Sequence, residues 1–118
     1  MKTTKKQFEI FKKNVEDYIT QFELYDWAIC VIHAEVEGIA QTNLDLKNKH
    51  AVVAFALDMP DWMEPSIKDS DYLDTVAKHE VSHILIGRLS CIAGTRCTTE
   101  EEITEATEEL ANKLTNLL

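Results

Sequence analysis

Positive charge is scarce in this chain. Its 118 residues carry 12 Lys and Arg against 21 Asp and Glu, a net charge of −9. A protein that holds nucleic acid through phosphate contacts needs clustered Lys and Arg, so the charge argues against a nucleic-acid partner. Long apolar runs are missing as well. No window approaches the roughly 20 residues of a membrane span. Met1-Lys-Thr-Thr-Lys-Lys leads into a mixed polar helix, not the apolar stretch of a signal peptide. The three cysteines, Cys30, Cys91 and Cys97, are an odd count for a disulfide framework. With no export signal, reduced thiols in a cytoplasm are the expectation. There is no internal repeat, linker or low-complexity stretch. Histidine is sparse too: there are four, and none follows His83.

What remains is enough for one domain spanning 1–118 with one modest core; the apolar fraction is 45%, as in ordinary globular proteins. Thr4 to Leu24 reads as an amphipathic helix, with Phe8, Phe11, Val15, Tyr18, Ile19 and Phe22 at spacings of three and four. Three strands follow: Trp27 to Val36, Ile39 to Leu46 and His50 to Leu57. The third is apolar on both faces, which predicts a central or helix-covered position. The short connections predict an antiparallel meander. Asp58 to Ser66 is a loop punctuated by Pro60 and Pro65, with Trp62 and Met63 tucked onto the core. Gly38 and Gly94 fall where turns are wanted. The fold class is therefore α+β.

The most informative stretch lies next. Asp69 and Ser70 are candidate N-caps for a helix running to about Leu89, with Asp71 and Asp74 in its first turn. It contains His79-Glu80-Val81-Ser82-His83, the pattern H-E-x-x-H. Histidines four apart sit about 40° apart around a helix, so both imidazoles reach one ion from one face. Glu80 is about 60° from His83 and can serve as general base toward water activated by the metal. The ordinary alternative is two surface histidines beside a glutamate. Val81, Ile84, Leu85, Ile86 and Leu89 point in nearly every direction, which predicts a buried helix. On such a helix two histidines and a glutamate need partners, and a Zn²⁺ ion partners all three.

A catalytic zinc site has three protein ligands and an open position. His33 and His50 lie upstream on strands, so a carboxylate is the leading downstream choice. Thr98 or Thr99 caps a last helix whose inward stripe is Ile103, Ala106, Leu110, Leu114 and Leu117. Glu101, Glu105 and Glu108 then point to solvent, while Glu102 and Glu109 flank the stripe on one side and Glu100 on the other. Glu102, in the first turn after the loop, is best placed to come back over the motif helix.

With these residues the chain resembles the gluzincins, zinc peptidases in which H-E-x-x-H is completed by a glutamate on a following helix. Eighteen residues separate His83 from Glu102, a spacing similar to that of the M1-type aminopeptidases. Lys78 to Leu89, with the ending Leu-Ala-Asn-Lys-Leu-Thr-Asn-Leu-Leu, also resembles small bacteriophage-encoded metallopeptidase-like proteins. The resemblance covers about Ala28 to Leu118. It implies a zincin-like core: an N-terminal helix, a small three-stranded mainly antiparallel sheet, the H-E-x-x-H helix and a C-terminal helix carrying the third ligand. It implies Zn²⁺ on His79, His83 and Glu102, with Glu80 as base and a peptide or protein as substrate.

The chain departs from the pattern in two places. The thermolysin-like branch has an aspartate four residues after its glutamate, where Ala106 stands here. No Tyr or His follows the motif to stabilise an oxyanion; Tyr72, Tyr25, His33, Arg88 and Arg96 are substitutes without support from spacing. Glu109, Glu105 and Asp74 are candidate partners for the zinc-binding imidazoles. Two other readings stand beside hydrolysis. One is a zincin-fold interaction module with a structural zinc, with Cys91 or Cys97 as extra ligand. The other is a metal-free acidic protein that binds a basic partner.

Overall fold

The computed structural model describes residues 1–93 and 98–115. It is an α+β structure. Helix α1 (Lys5–Gln21) is followed by strands β1 (Ala28–Ala34), β2 (Ala40–Asp45) and β3 (His50–Ala56). A 3₁₀ turn (Asp61–Met63) leads into short α2 (Glu64–Ile67), then α3 (Ser70–Leu85), α4 (Gly87–Ala93) and α5 (Glu100–Thr115). Gly94, Arg96, Cys97 and Leu117 lie outside the described residues.

Thr4 starts α1 with a full capping box: its hydroxyl accepts from the Gln7 N–H and its own N–H donates to Gln7 Oε1. The sheet corrects one expectation. Its order is β1-β3-β2, with β1 and β3 parallel and β2 antiparallel to β3. It is a mixed sheet, not a mainly antiparallel meander. Short loops alone suggested nearest-neighbour pairing, but β2 leaves a gap beside β1 that β3 fills. β3 is central, as its apolar composition predicts.

The register aligns three rows on one face: Ile29, Ala51 and Leu44; Val31, Val53 and Thr42; His33, Phe55 and Ala40. This face packs under α1 and α3, which also pack on each other. Phe11 and Val15 from α1 meet Val53 and Phe55 in the core, with Leu73, Ala77, Val81 and Ile84 from α3. The Phe11 and Phe55 rings stack at 4.8 Å. The other sheet face is exposed at Cys30, Ile32 and Val52, although Ala54 and Ala56 on that face of β3 are buried. In the loop after β3, Met63 is buried as expected, whereas Trp62 is 77% exposed.

The motif helix is also corrected. It does not run unbroken to Leu89. Ile86 (φ −94°, ψ 0°) ends α3, and α4 restarts at Gly87. The break explains apolar residues that point all around the run. Leu73, Ala77, Val81 and Ile84 are the buried residues of the core side of α3, and Gly87 and Ile92 are the buried residues of α4. Ile86, at the break, is 41% exposed. The inward stripe of α5 is only partly covered: Ala106 is buried, but Ile103 and Leu114 are exposed, because the main neighbour of α5 is the short α4.

Candidate metal centre

Asp69 begins α3, accepting the Asp71 N–H at 2.9 Å. With the start fixed and Leu73, Ala77, Val81 and Ile84 turned to the core, helical periodicity sets the other faces. His79 and His83 point outward and are exposed, so the expectation of a buried helix whose two imidazoles need a partner does not hold; of the three motif residues only Glu80 is buried. Glu80 sits at the boundary and turns toward β2. It is only 6% exposed, the one buried charged side chain among the described residues.

The two imidazoles converge. Their Nε2 atoms are 3.2 Å apart, with the rings nearly perpendicular at 83°. Two nitrogens bound to a tetrahedral zinc at ~2.05 Å would stand about 3.3 Å apart. The same separation also allows a hydrogen bond between the rings. The carboxylate is the third member: ligand atoms of His79, Glu80 and His83 all lie within 4.8 Å of one another. Among the described residues this is the only such group.

A buried carboxylate needs compensation. Glu80 receives it from the strand: Thr42 Oγ1 donates to Glu80 Oε2 at 2.6 Å and lies 3.2 Å from the Glu80 carbonyl oxygen. No ion pair among the described residues includes Glu80. Ile39 and Ala40 of the strand side and Thr75, Val76, His79 and Glu80 of α3 line a cleft of about 330 Å³. His79 and Glu80 both line this cleft, so a metal held by the imidazoles would stand beside it. Two imidazoles and a nearby carboxylate are a donor set suited to zinc.

The other sequence candidates are placed as follows. Glu102 is exposed at the start of α5, outside the His79–Glu80–His83 group; its N–H donates to Thr99 Oγ1 at 3.1 Å, and the Thr99 hydroxyl lies 3.3 Å from its Oε1. Arg88 is gripped by Glu105 Oε1 at 2.8 Å and Glu109 Oε2 at 2.7 Å. These two carboxylates hold the guanidinium above its ordinary pKa and clamp α4 to α5. Asp74 accepts the Tyr18 hydroxyl at 2.8 Å. Burial first, and then that carboxylate, pushes the Tyr18 phenol up. Among the described residues no hydrogen bond or ion pair joins Glu105, Glu109 or Asp74 to an imidazole. His33 stacks on Phe8 at 4.9 Å, with Nε2 2.6 Å from Thr3 Oγ1, a structural role. His50 is exposed at the start of β3, and Tyr25 is exposed with its hydroxyl on the Thr20 carbonyl. Cys91 is exposed and outside the metal-capable group.

Sequence reasoning missed Thr42. Its signal was in the alternation Ala40, Thr42, Leu44, where a hydroxyl takes an inward position between two apolar residues. No family model, curated protein or solved structure matches the chain. No helix among the described residues is long and apolar enough to cross a membrane.

Proposed function

We propose that the chain is a zinc-dependent metallopeptidase of gluzincin type on a zincin-like core. One observation carries this reading. A buried carboxylate, held by a single hydroxyl, opens on a cleft beside two imidazoles spaced like ligands of one ion. His79 and His83 hold the metal. Glu102 is the candidate third ligand. Its carboxylate has one long, exposed contact, the Thr99 hydroxyl 3.3 Å from Oε1, and the Thr99 cap on its backbone N–H stays in place when the side chain turns.

When bound, zinc supplies a Lewis acid that makes water acidic near neutral pH and polarises a carbonyl. Glu80 is the general base. Its carboxylate takes a proton from the attacking water and passes it to the leaving amine.

The substrate reading rests on β2, an edge strand in the order β1-β3-β2. The Ala56 N–H donates to the Ile39 carbonyl at 2.9 Å. Pairing alternates in an antiparallel ladder, so residues 41, 43 and 45 face β3, and the backbone groups of Ala40, Thr42 and Leu44 face outward. An extended peptide adds to such an edge as a further strand, which lays its carbonyls along the cleft wall.

The test is metal analysis with hydrolysis of quenched fluorescent casein. Wild type is expected to hold zinc at near-unit stoichiometry and to cleave. Glu80→Gln should keep zinc and lose cleavage by about 10²- to 10⁴-fold. His79→Ala and His83→Ala should lose both, and Glu102→Gln should weaken zinc without loosening the fold. Wild type free of zinc at saturating metal would refute the assignment.

A further inference from the structure

We propose that Thr42 is a positioning residue that keeps Glu80 a base and prevents it from becoming a metal ligand. The inference rests on the metal-site reading given above and deepens it. The Thr42 hydroxyl has one proton and two acceptors on Glu80, Oε2 at 2.6 Å and the backbone carbonyl at 3.2 Å. The shorter contact takes the proton, so Oε2 is occupied. Oε1 makes no hydrogen bond among the described residues, and the carboxylate is buried beside the cleft. One oxygen is therefore tethered to the strand and the other is left for proton transfer.

The tether matters because of distance. Every pair of ligand atoms among His79, Glu80 and His83 lies within 4.8 Å. A carboxylate oxygen that close to both imidazole nitrogens can itself become a ligand of an ion they would hold if the side chain rotates toward it. Binding would fill the position that chemistry requires open. Thr42 opposes that rotation from β2. The strand that presents Ala40, Thr42 and Leu44 backbone groups to an incoming peptide thus also fixes the proton acceptor, so substrate register and base position share one element.

The experiment compares full-length wild type, Thr42→Val and Thr42→Ser, each in the Glu80 and the Glu80→Gln background. Readouts are the zinc dissociation constant, the visible spectrum of the Co²⁺-loaded protein and casein cleavage. Valine keeps the branched shape and removes only the hydroxyl; Thr42→Ala gives the same comparison if the second methyl is not accommodated. Thr42→Val should bind zinc about tenfold tighter, change the Co²⁺ spectrum as a carboxylate joins the ion, and cleave about 10- to 100-fold more slowly. Thr42→Ser should restore all three. In the Glu80→Gln background the Thr42→Val effect on metal should vanish. A Thr42→Val protein with wild-type affinity and spectrum would overturn the positioning role alone, as would weaker zinc binding that serine does not rescue. A wild type that binds neither Co²⁺ nor Zn²⁺ would overturn the metal reading itself. Metal binding without casein cleavage would remove the peptidase reading and leave the tether to be judged on affinity and spectrum.

Discussion

Replacing Glu80 by glutamine should make the metal-free protein more stable. Glu80 is 6% exposed and its charge is compensated by one hydroxyl at 2.6 Å, with no cation paired to it among the described residues. An imperfectly paired buried polar group costs about 1 to 3 kcal/mol. The low end applies, because the carboxylate borders the cleft. Glutamine keeps the shape and an oxygen for the Thr42 proton, and its amide can reach the cleft. The gain is about 1 kcal/mol, or about 4 °C in melting temperature for a chain of this size. Circular-dichroism melts in a strong chelator read the effect directly. Zinc at a hundredfold excess over its Kd should add about 2.7 kcal/mol to both proteins, since Glu80 acts as a base on this reading. If chelated Glu80→Gln melts below wild type, the carboxylate is a stabilising element and not a site held ready at a cost. If Glu80→Gln loses the zinc shift, Glu80 is a ligand and its role as base is wrong.

Three further outcomes follow from other contacts. Arg88→Met should unclamp α5 from α4, costing about 1 kcal/mol; hydrogen exchange should quicken across 100–115 and leave α3 unchanged, and equal quickening of α3 would show that the clamp serves the core. Asp26 titrates below its ordinary value: partial burial opposes its charge, but Lys49 at 3.1 Å and a backbone hydrogen bond outweigh it. A depressed folded pKa means that its contribution is full above about pH 4 and is lost as pH falls through the lower folded value. The stability difference between wild type and Asp26→Asn should therefore be constant from pH 7 to about pH 5 and shrink below pH 4, and a flat difference down to pH 2 would contradict the pairing. Phe11→Ala, in the fully buried stack on Phe55, should cost about 3 to 5 kcal/mol, and denaturant melts showing under 1 kcal/mol would place the core elsewhere.

Local signals carried most of the architecture. The α1 stripe, three strands and the Asp69 start of α3 were legible because each depends on residues within one or two turns. Strand order was not legible. Nothing in Glu35–Ile39 tells β2 to leave a gap for β3; that choice depends on burying Val53 and Phe55 under two helices at once. The same limit applies at the centre. His79 and His83 are neighbours through helical spacing alone, so the sequence places them. Thr42 and Glu80 are 38 residues apart and meet only through the sheet. Glu102 was ranked from one helix considered alone, without the Arg88 clamp that sets where α5 lies.

Gly87 links the helix break to the site. A Cβ there would stand 2.5 Å from Leu44 Cδ1, so the glycine lets the start of α4 approach β2 closely. Leu44 and Thr42 share the inward face of β2, two residues apart. The pressure that sets Leu44 therefore acts on the strand that carries the Thr42 hydroxyl. β2 lies close against α3 through the Thr42–Glu80 hydrogen bond and against the start of α4 through Leu44 and Gly87. A strand held there supplies a donor for the buried carboxylate and, on the proposed reading, an edge for a peptide. A strand held further out would supply the edge and leave Glu80 without a partner.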